Sequence, residues 1–83
     1  MNSGLVVKSL AGHDKGSYFV VLRAEGEFAF IANGKTKTIE KPKKKKKKHL
    51  EVLGSLEKLS ERETLYDAHI RKELGSFIKK GRL

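Results

Sequence analysis

Short apolar runs separated by turn residues fill the first two thirds of the chain, and helical spacing replaces them in the last third. Leu5-Val6-Val7 is the first β-rich run, and it ends at the loop Ala11-Gly12-His13-Asp14-Lys15-Gly16, where two glycines flank an aspartate able to accept backbone hydrogen bonds. Tyr18–Leu22, dense in aromatic and β-branched residues, predicts a second strand. Glu25-Gly26 supplies a tight connection to a third strand over Phe28–Ile31. Asn33-Gly34 is the strongest turn signal, because Asn-Gly tolerates the positive φ angles of a type I′ hairpin. Thr36-Lys37-Thr38-Ile39 alternates as a fourth strand, ended by Pro42, and Leu50-Glu51-Val52-Leu53 forms a fifth, stopped by Gly54. Strands of about five residues joined by tight turns predict a small antiparallel barrel over residues 1–54.

From residue 55 onward, Leu56, Leu59, Tyr66, Ile70, Leu74 and Phe77 recur at intervals that bring them to one helical face. Ser60 with Glu63 reads as a capping box, Ser55 is a second cap, Gly75 weakens the helix and Gly81 can close it. The tail 55–83 is expected as one or two short helices, with the break near Thr64. Its apolar stripe must be covered, by its own barrel or by a partner.

Charge changes this picture at one place. The chain has 83 residues and a net charge of +9, with no cysteine and 37% hydrophobic residues. Seven lysines fall in the eight positions from Lys41 to Lys48, interrupted only by Pro42. Without them residues 1–54 are neutral, so the surplus is one block. The pattern makes this block a loop over 41–48, tethered between strands four and five. Such a block repels itself in a compact state, and its usual return is contact with a dense polyanion, most commonly nucleic acid.

The string Val6-Val7-Lys8-Ser9-Leu10-Ala11-Gly12-His13-Asp14-Lys15-Gly16-Ser17-Tyr18-Phe19-Val20-Val21 resembles a KOW motif. With the basic segment that closes on Lys48-His49-Leu50, and the later stretch Asp67-Ala68-His69-Ile70-Arg71-Lys72, the chain resembles the family of large-subunit ribosomal protein fourteen of archaea and eukaryotes and small free-standing bacterial KOW proteins. The resemblance spans residues 4–53 and, more weakly, the tail. His13 stands where a basic residue is expected, and Phe19 where many KOW sequences have a further glycine, which favours the ribosomal branch. The resemblance implies a mainly β chain with an α tail: an SH3-like five-stranded small barrel followed by one or two short helices. It also implies RNA binding through a loop shaped by Gly12 and Gly16, braced by Asp14 and carrying Lys15.

The expected function is therefore that of an RNA-binding, ribosomal or ribosome-associated protein, cytoplasmic and monomeric, in contact with structured ribosomal RNA. Lys41, Lys43, Lys44, Lys45, Lys46, Lys47 and Lys48 would attract phosphates. Arg23, Lys35, Lys37 and protonated His49 would extend them, and Gly12, His13, Asp14, Lys15 and Gly16 would supply the shaped loop. Alternation puts one of Tyr18 and Phe19 outward, while most of the other rings are expected in the core. Two other classes fit the same residues: a protein-interaction adaptor that uses the helical face, including contacts to ribosomal proteins, and a DNA- or transcription-associated KOW factor.

Enzyme function is not expected. The 11–16 loop lacks the Gly-Lys-Ser/Thr ending and the helix of an NTPase loop, and no nucleophile–base or carboxylate pair stands out. His13, His49 and His69 have no metal-ligand spacing, so neither metal nor cofactor is expected. The longest apolar runs have five residues, against about 20 for a spanning helix. No signal peptide is readable at the start, and no membrane partner is expected.

Overall fold

The structure, a computed structural model, describes residues 3–60 and 65–80, apart from the side chains of Glu57 and Ser60. Five strands form one antiparallel sheet: β1 Leu5–Ser9, β2 Tyr18–Glu25, β3 Phe28–Ala32, β4 Lys43–Lys46 and β5 Leu50–Ser55. Two helices follow, α1 Glu57–Ser60 and α2 Asp67–Lys80. The predicted capping box of Ser60 and Glu63, the break near Thr64 and the Gly81 stop lie outside the described residues.

The strand order is β4-β3-β2-β1-β5, so the strands at the two ends of the sheet are consecutive in the chain. Laid flat, five strands would hold the outer two about 19 Å apart at the usual inter-strand spacing. The chain from Lys46 to Leu50 reaches at most about 14 Å fully extended, and it takes a shorter path, a 3₁₀ turn over Lys47–His49. The sheet must therefore curl. Two bulges let it bend, one where Leu22 is left unpaired between Val21 and Arg23 and one where Leu53 is skipped opposite Val6 and Val7. The result is a small β-barrel-like fold with a helical tail.

Both faces of β1 and of the first half of β2 are lined by apolar clusters, which explains their uninterrupted apolar runs. On the concave side Val7, Phe19, Val21, Ala29, Ile31 and Leu50 form one buried cluster. On the convex side Val6, Val20 and Ala32 pack with Leu59, Ile70 and Leu74 of the helices, joined by half-buried Tyr18, Leu22, Leu56 and Phe77. Each large side chain buried in this way contributes about 2 kcal/mol. The apolar stripe of the tail is thus used within the chain. Tyr66 is the exception: it precedes α2, is 60% exposed and lies edge-on to His69, with ring centroids 5.4 Å apart. Phe77 lies so close to β5 that a Cβ on Gly54 would meet its ring at 2.8 Å.

Two expectations are corrected. Thr36–Ile39 is not a strand; residues 33–42 form an irregular loop, and the fourth strand is made of the lysines themselves. The loop is organised by the Asn33 side chain, whose Oδ1 accepts from the backbone N–H of Lys35 and Lys37 at 2.9 and 3.0 Å. Asn33 itself has no positive φ, so this is an Asx-type turn and not the type I′ hairpin. The loop is then stitched to α2: the Ile39 N–H donates to Asp67 Oδ1 at 2.9 Å, and Arg71 Nη1 donates to the Gly34 carbonyl at 2.7 Å.

Candidate nucleic-acid interface

Six consecutive lysines have no period of their own, so their division into two sets comes from the sheet. β4 pairs with β3 in the register Phe28↔Lys46, Ala29↔Lys45, Phe30↔Lys44 and Ile31↔Lys43. Residues opposite each other share a face. Lys43 and Lys45 therefore turn to the concave side with buried Ala29 and Ile31, and Lys44 and Lys46 turn outward with Phe30 and Phe28.

The inward pair closes on Asp14. Lys45, whose side chain is 9% exposed, donates to Asp14 Oδ1 at 2.5 Å, to Ser9 Oγ at 2.6 Å and to the Ala11 carbonyl at 2.6 Å. All three of its ammonium protons are used. The fully buried Ser9 hydroxyl donates to Asp14 Oδ1 at 2.8 Å. Lys43 Nζ stands 2.7 Å from Asp14 Oδ2, an ion pair whose angle falls outside a regular hydrogen bond. Burial of the Asp14 side chain opposes its charge, but Lys43, Lys45 and the Ser9 hydroxyl outweigh that and hold its carboxyl far below the usual carboxylate range. Gly12 and Gly16, at φ of +86° and +89°, let the loop turn back so that Asp14 reaches the sheet, and the Gly16 N–H closes the loop on the Ser9 carbonyl at 2.8 Å. His13 and Lys15 stand exposed on this loop.

The lysine block expected as a loop is therefore corrected to an edge strand plus a 3₁₀ turn, and two of its seven cations are neutralised inside the molecule. The cause is Asp14, a single carboxylate about thirty positions upstream that captures alternate lysines. Lys41, Lys44, Lys46 and Lys48 remain exposed, while Lys47 and His49 are half-buried. Lys46, Lys47 and Lys48 line a shallow groove of about 210 Å³ with Glu27. Lys35 is exposed and Lys37 half-buried on the 33–42 loop, which lies against α2 and not on the outward face of β4.

The outward face holds what the sequence reading missed. Phe28 and Phe30, expected in the core, are only half-buried and belong to neither apolar cluster. Lys44 Nζ lies 4.4 Å from the centre of the Phe28 ring, and the Arg23 guanidinium lies 4.1 Å from that of Phe30. Both are cation–π distances. Arg23 sits directly across from Phe30, and its Nε also donates to Glu25 at 3.3 Å, an exposed pair. Phe19, by contrast, is buried on the concave side, and Tyr18 packs under the helices, so both rings of that neighbouring pair serve the core.

No family model matches the chain, and no curated protein matches it. The chemistry of the surface is left to its own geometry. Among the described residues no group of His, Cys, Asp and Glu is placed to hold a metal ion, and no helix is long and apolar enough to cross a membrane. The arrangement can offer exposed ammonium groups, one stacked guanidinium and two aromatic rings to an elongated anion. Lysines on a strand that pairs on one side only also discourage pairing with another chain.

Proposed function

We propose that this protein binds RNA, as a ribosomal or ribosome-associated protein, through the outward face of β4 and the exposed His13 and Lys15 of the 10–17 loop. The observation that carries the reading is that Lys44 and Lys46 project from one side of an ordered strand, next to Lys48, while the inward lysines are spent on Asp14. A fixed row of cations presents charge at lower entropic cost than a loose basic loop. The strand order, with a 3₁₀ turn between β4 and β5, supports assigning the barrel to the SH3-like class that the KOW resemblance implies. The adaptor reading draws no support, because Ile70 and Leu74 of the helical face are already buried against the sheet.

Lys44, Lys46 and Lys48, with Lys15 of the 10–17 loop, are four exposed cations that give a measurable salt dependence. For an RNA fragment from the ribosome, log K should fall with log salt at a slope of about −3, at roughly 0.7 per contact on single strands. The double substitution Lys44→Gln/Lys46→Gln should weaken binding and flatten the slope by about 1.4. A slope near zero for the unaltered protein, or binding too weak to detect in dilute buffer, sinks the RNA reading.

A further inference from the structure

The outward face of β2, β3 and β4 carries more than charge. Phe28 and Phe30 are two positions apart on β3, so their rings repeat at about 6.7 Å along the strand. That is about twice the 3.4 Å spacing of stacked bases. Neighbouring bases that used both rings would have to be pulled apart, which a duplex does not permit and an unpaired strand does.

The two positions differ in kind. On Phe28 the cover is a flexible lysine ammonium, which can leave the ring for a phosphate. On Phe30 the cover is a guanidinium steadied by Glu25, and 59% of the Arg23 side chain is exposed to solvent. A guanidinium presents a plane on which a base can stack. The charges are also graded across the face. Lys44 and Lys46 lie on β4 at the edge of the sheet, Glu25 lies on β2 opposite Phe28, and Glu27 shares the groove beyond Lys46 with three lysines. A strand whose phosphates follow β4 and whose bases point over β3 keeps its backbone away from the Glu25 carboxylate.

We propose that this face holds an unpaired RNA segment, with Phe28 and the Phe30–Arg23 pair as two base-stacking positions and Lys44 and Lys46 as phosphate anchors. The proposal rests on the RNA reading above and names the kind of RNA that this surface selects.

The test uses the full chain with a labelled ten-nucleotide RNA of mixed sequence, alone or annealed to its complement. A second version of the single strand carries 2-aminopurine. Phe28→Leu/Phe30→Leu should lower affinity for the single strand by at least about 30-fold, and for the duplex by less than about 3-fold. The quenching of 2-aminopurine seen with the unaltered protein should disappear. Phe28→Tyr and Phe30→Tyr, which keep the rings, should bind as before. If the leucine variant does not fold, Arg23→Gln supplies the same comparison on an exposed side chain, with an expected loss of about 5-fold on the single strand alone. An equal loss on both RNAs, or none on the single strand while Lys44→Gln/Lys46→Gln still weakens it, overturns the stacking proposal and leaves the RNA reading intact. Failure of the unaltered protein to bind either RNA overturns both.

Discussion

Replacing Asp14 with alanine should cost about 3 kcal/mol or more of folding stability, although the residue lies on a surface loop. The substitution removes the acceptor shared by Lys43, Lys45 and Ser9. Lys45 would then keep a nearly buried ammonium with only the Ser9 hydroxyl and the Ala11 carbonyl for company. An unpaired buried charge is among the few defects that exceed the average point mutation. In a domain of this size, 3 kcal/mol corresponds to at least about 12 °C in thermal midpoint. Denaturant titration of the single variant measures the loss directly. The double variant Asp14→Ala/Lys45→Met should recover most of it, because Lys43 is about a third exposed and can turn to water, and the Ser9 hydroxyl keeps the Ala11 carbonyl at 3.0 Å. A single variant that loses less than about 1 kcal/mol would show that the inward lysines stay solvated.

The same carboxyl sets a pH dependence of known sign. Its folded value is depressed, so the stability it supplies is fully present above the unfolded value of about 3.9 and is lost as pH falls below that. In that acid range the unfolded chain holds a proton that the folded chain refuses, so stability rises with pH by up to about 1.4 kcal/mol per unit. Asp14→Asn should remove this part of the acid slope and leave the curve above pH 5 parallel to that of the unaltered protein.

The cluster also shows why part of the site was hidden in the sequence. Leu5-Val6-Val7, Tyr18–Leu22, Phe28–Ile31 and Leu50–Leu53 announce their strands through β-branched and aromatic residues, and all four are strands in the structure. Lysine has a low β preference, and a run of identical residues has no period to read. Only a partner distant in sequence decides which lysines face inward, and Asp14 lies 31 positions before Lys45. Register along such a strand is weakly specified by its own side chains, since a slip by two residues replaces lysine with lysine. Asp14 pins it from one side, and buried Leu50, just after the 3₁₀ turn, pins it from the other. The outward rings were hidden for a related reason. Phe28-Ala29-Phe30 alternates large and small residues, and the sequence suggests that the phenylalanines are the core face. The concave space is instead lined by Ala29 and Ile31 of β3, beside the Phe19 ring from β2, while Lys43 and Lys45 share their face.

Gly34→Ala should be the most damaging glycine substitution in the barrel, for a reason unrelated to hairpin geometry. Gly34 has φ of +78°, which costs a residue with a Cβ about 1–2 kcal/mol. A Cβ there would also stand 2.5 Å from the Asp67 carbonyl and 3.2 Å from the Arg71 nitrogen, both backbone atoms of α2. Relief requires the loop and the helix to part. That would strain the Arg71 bond to the Gly34 carbonyl and the Asp67 bond to the Ile39 N–H, and loosen Ile70 between them. The combined cost should reach about 3 kcal/mol or more. Gly16→Ala is the internal comparison. Its φ of +89° carries the same backbone penalty, but its Cβ would meet open space, so its cost should stay near 1–2 kcal/mol. The difference between the two isolates the seating of α2 on the 33–42 loop. Amide exchange should locate it, with faster exchange over α2 in Gly34→Ala and unchanged exchange there in Gly16→Ala. Equal destabilisation by the two substitutions, with α2 protected in both, would mean that the helix does not rest on this loop.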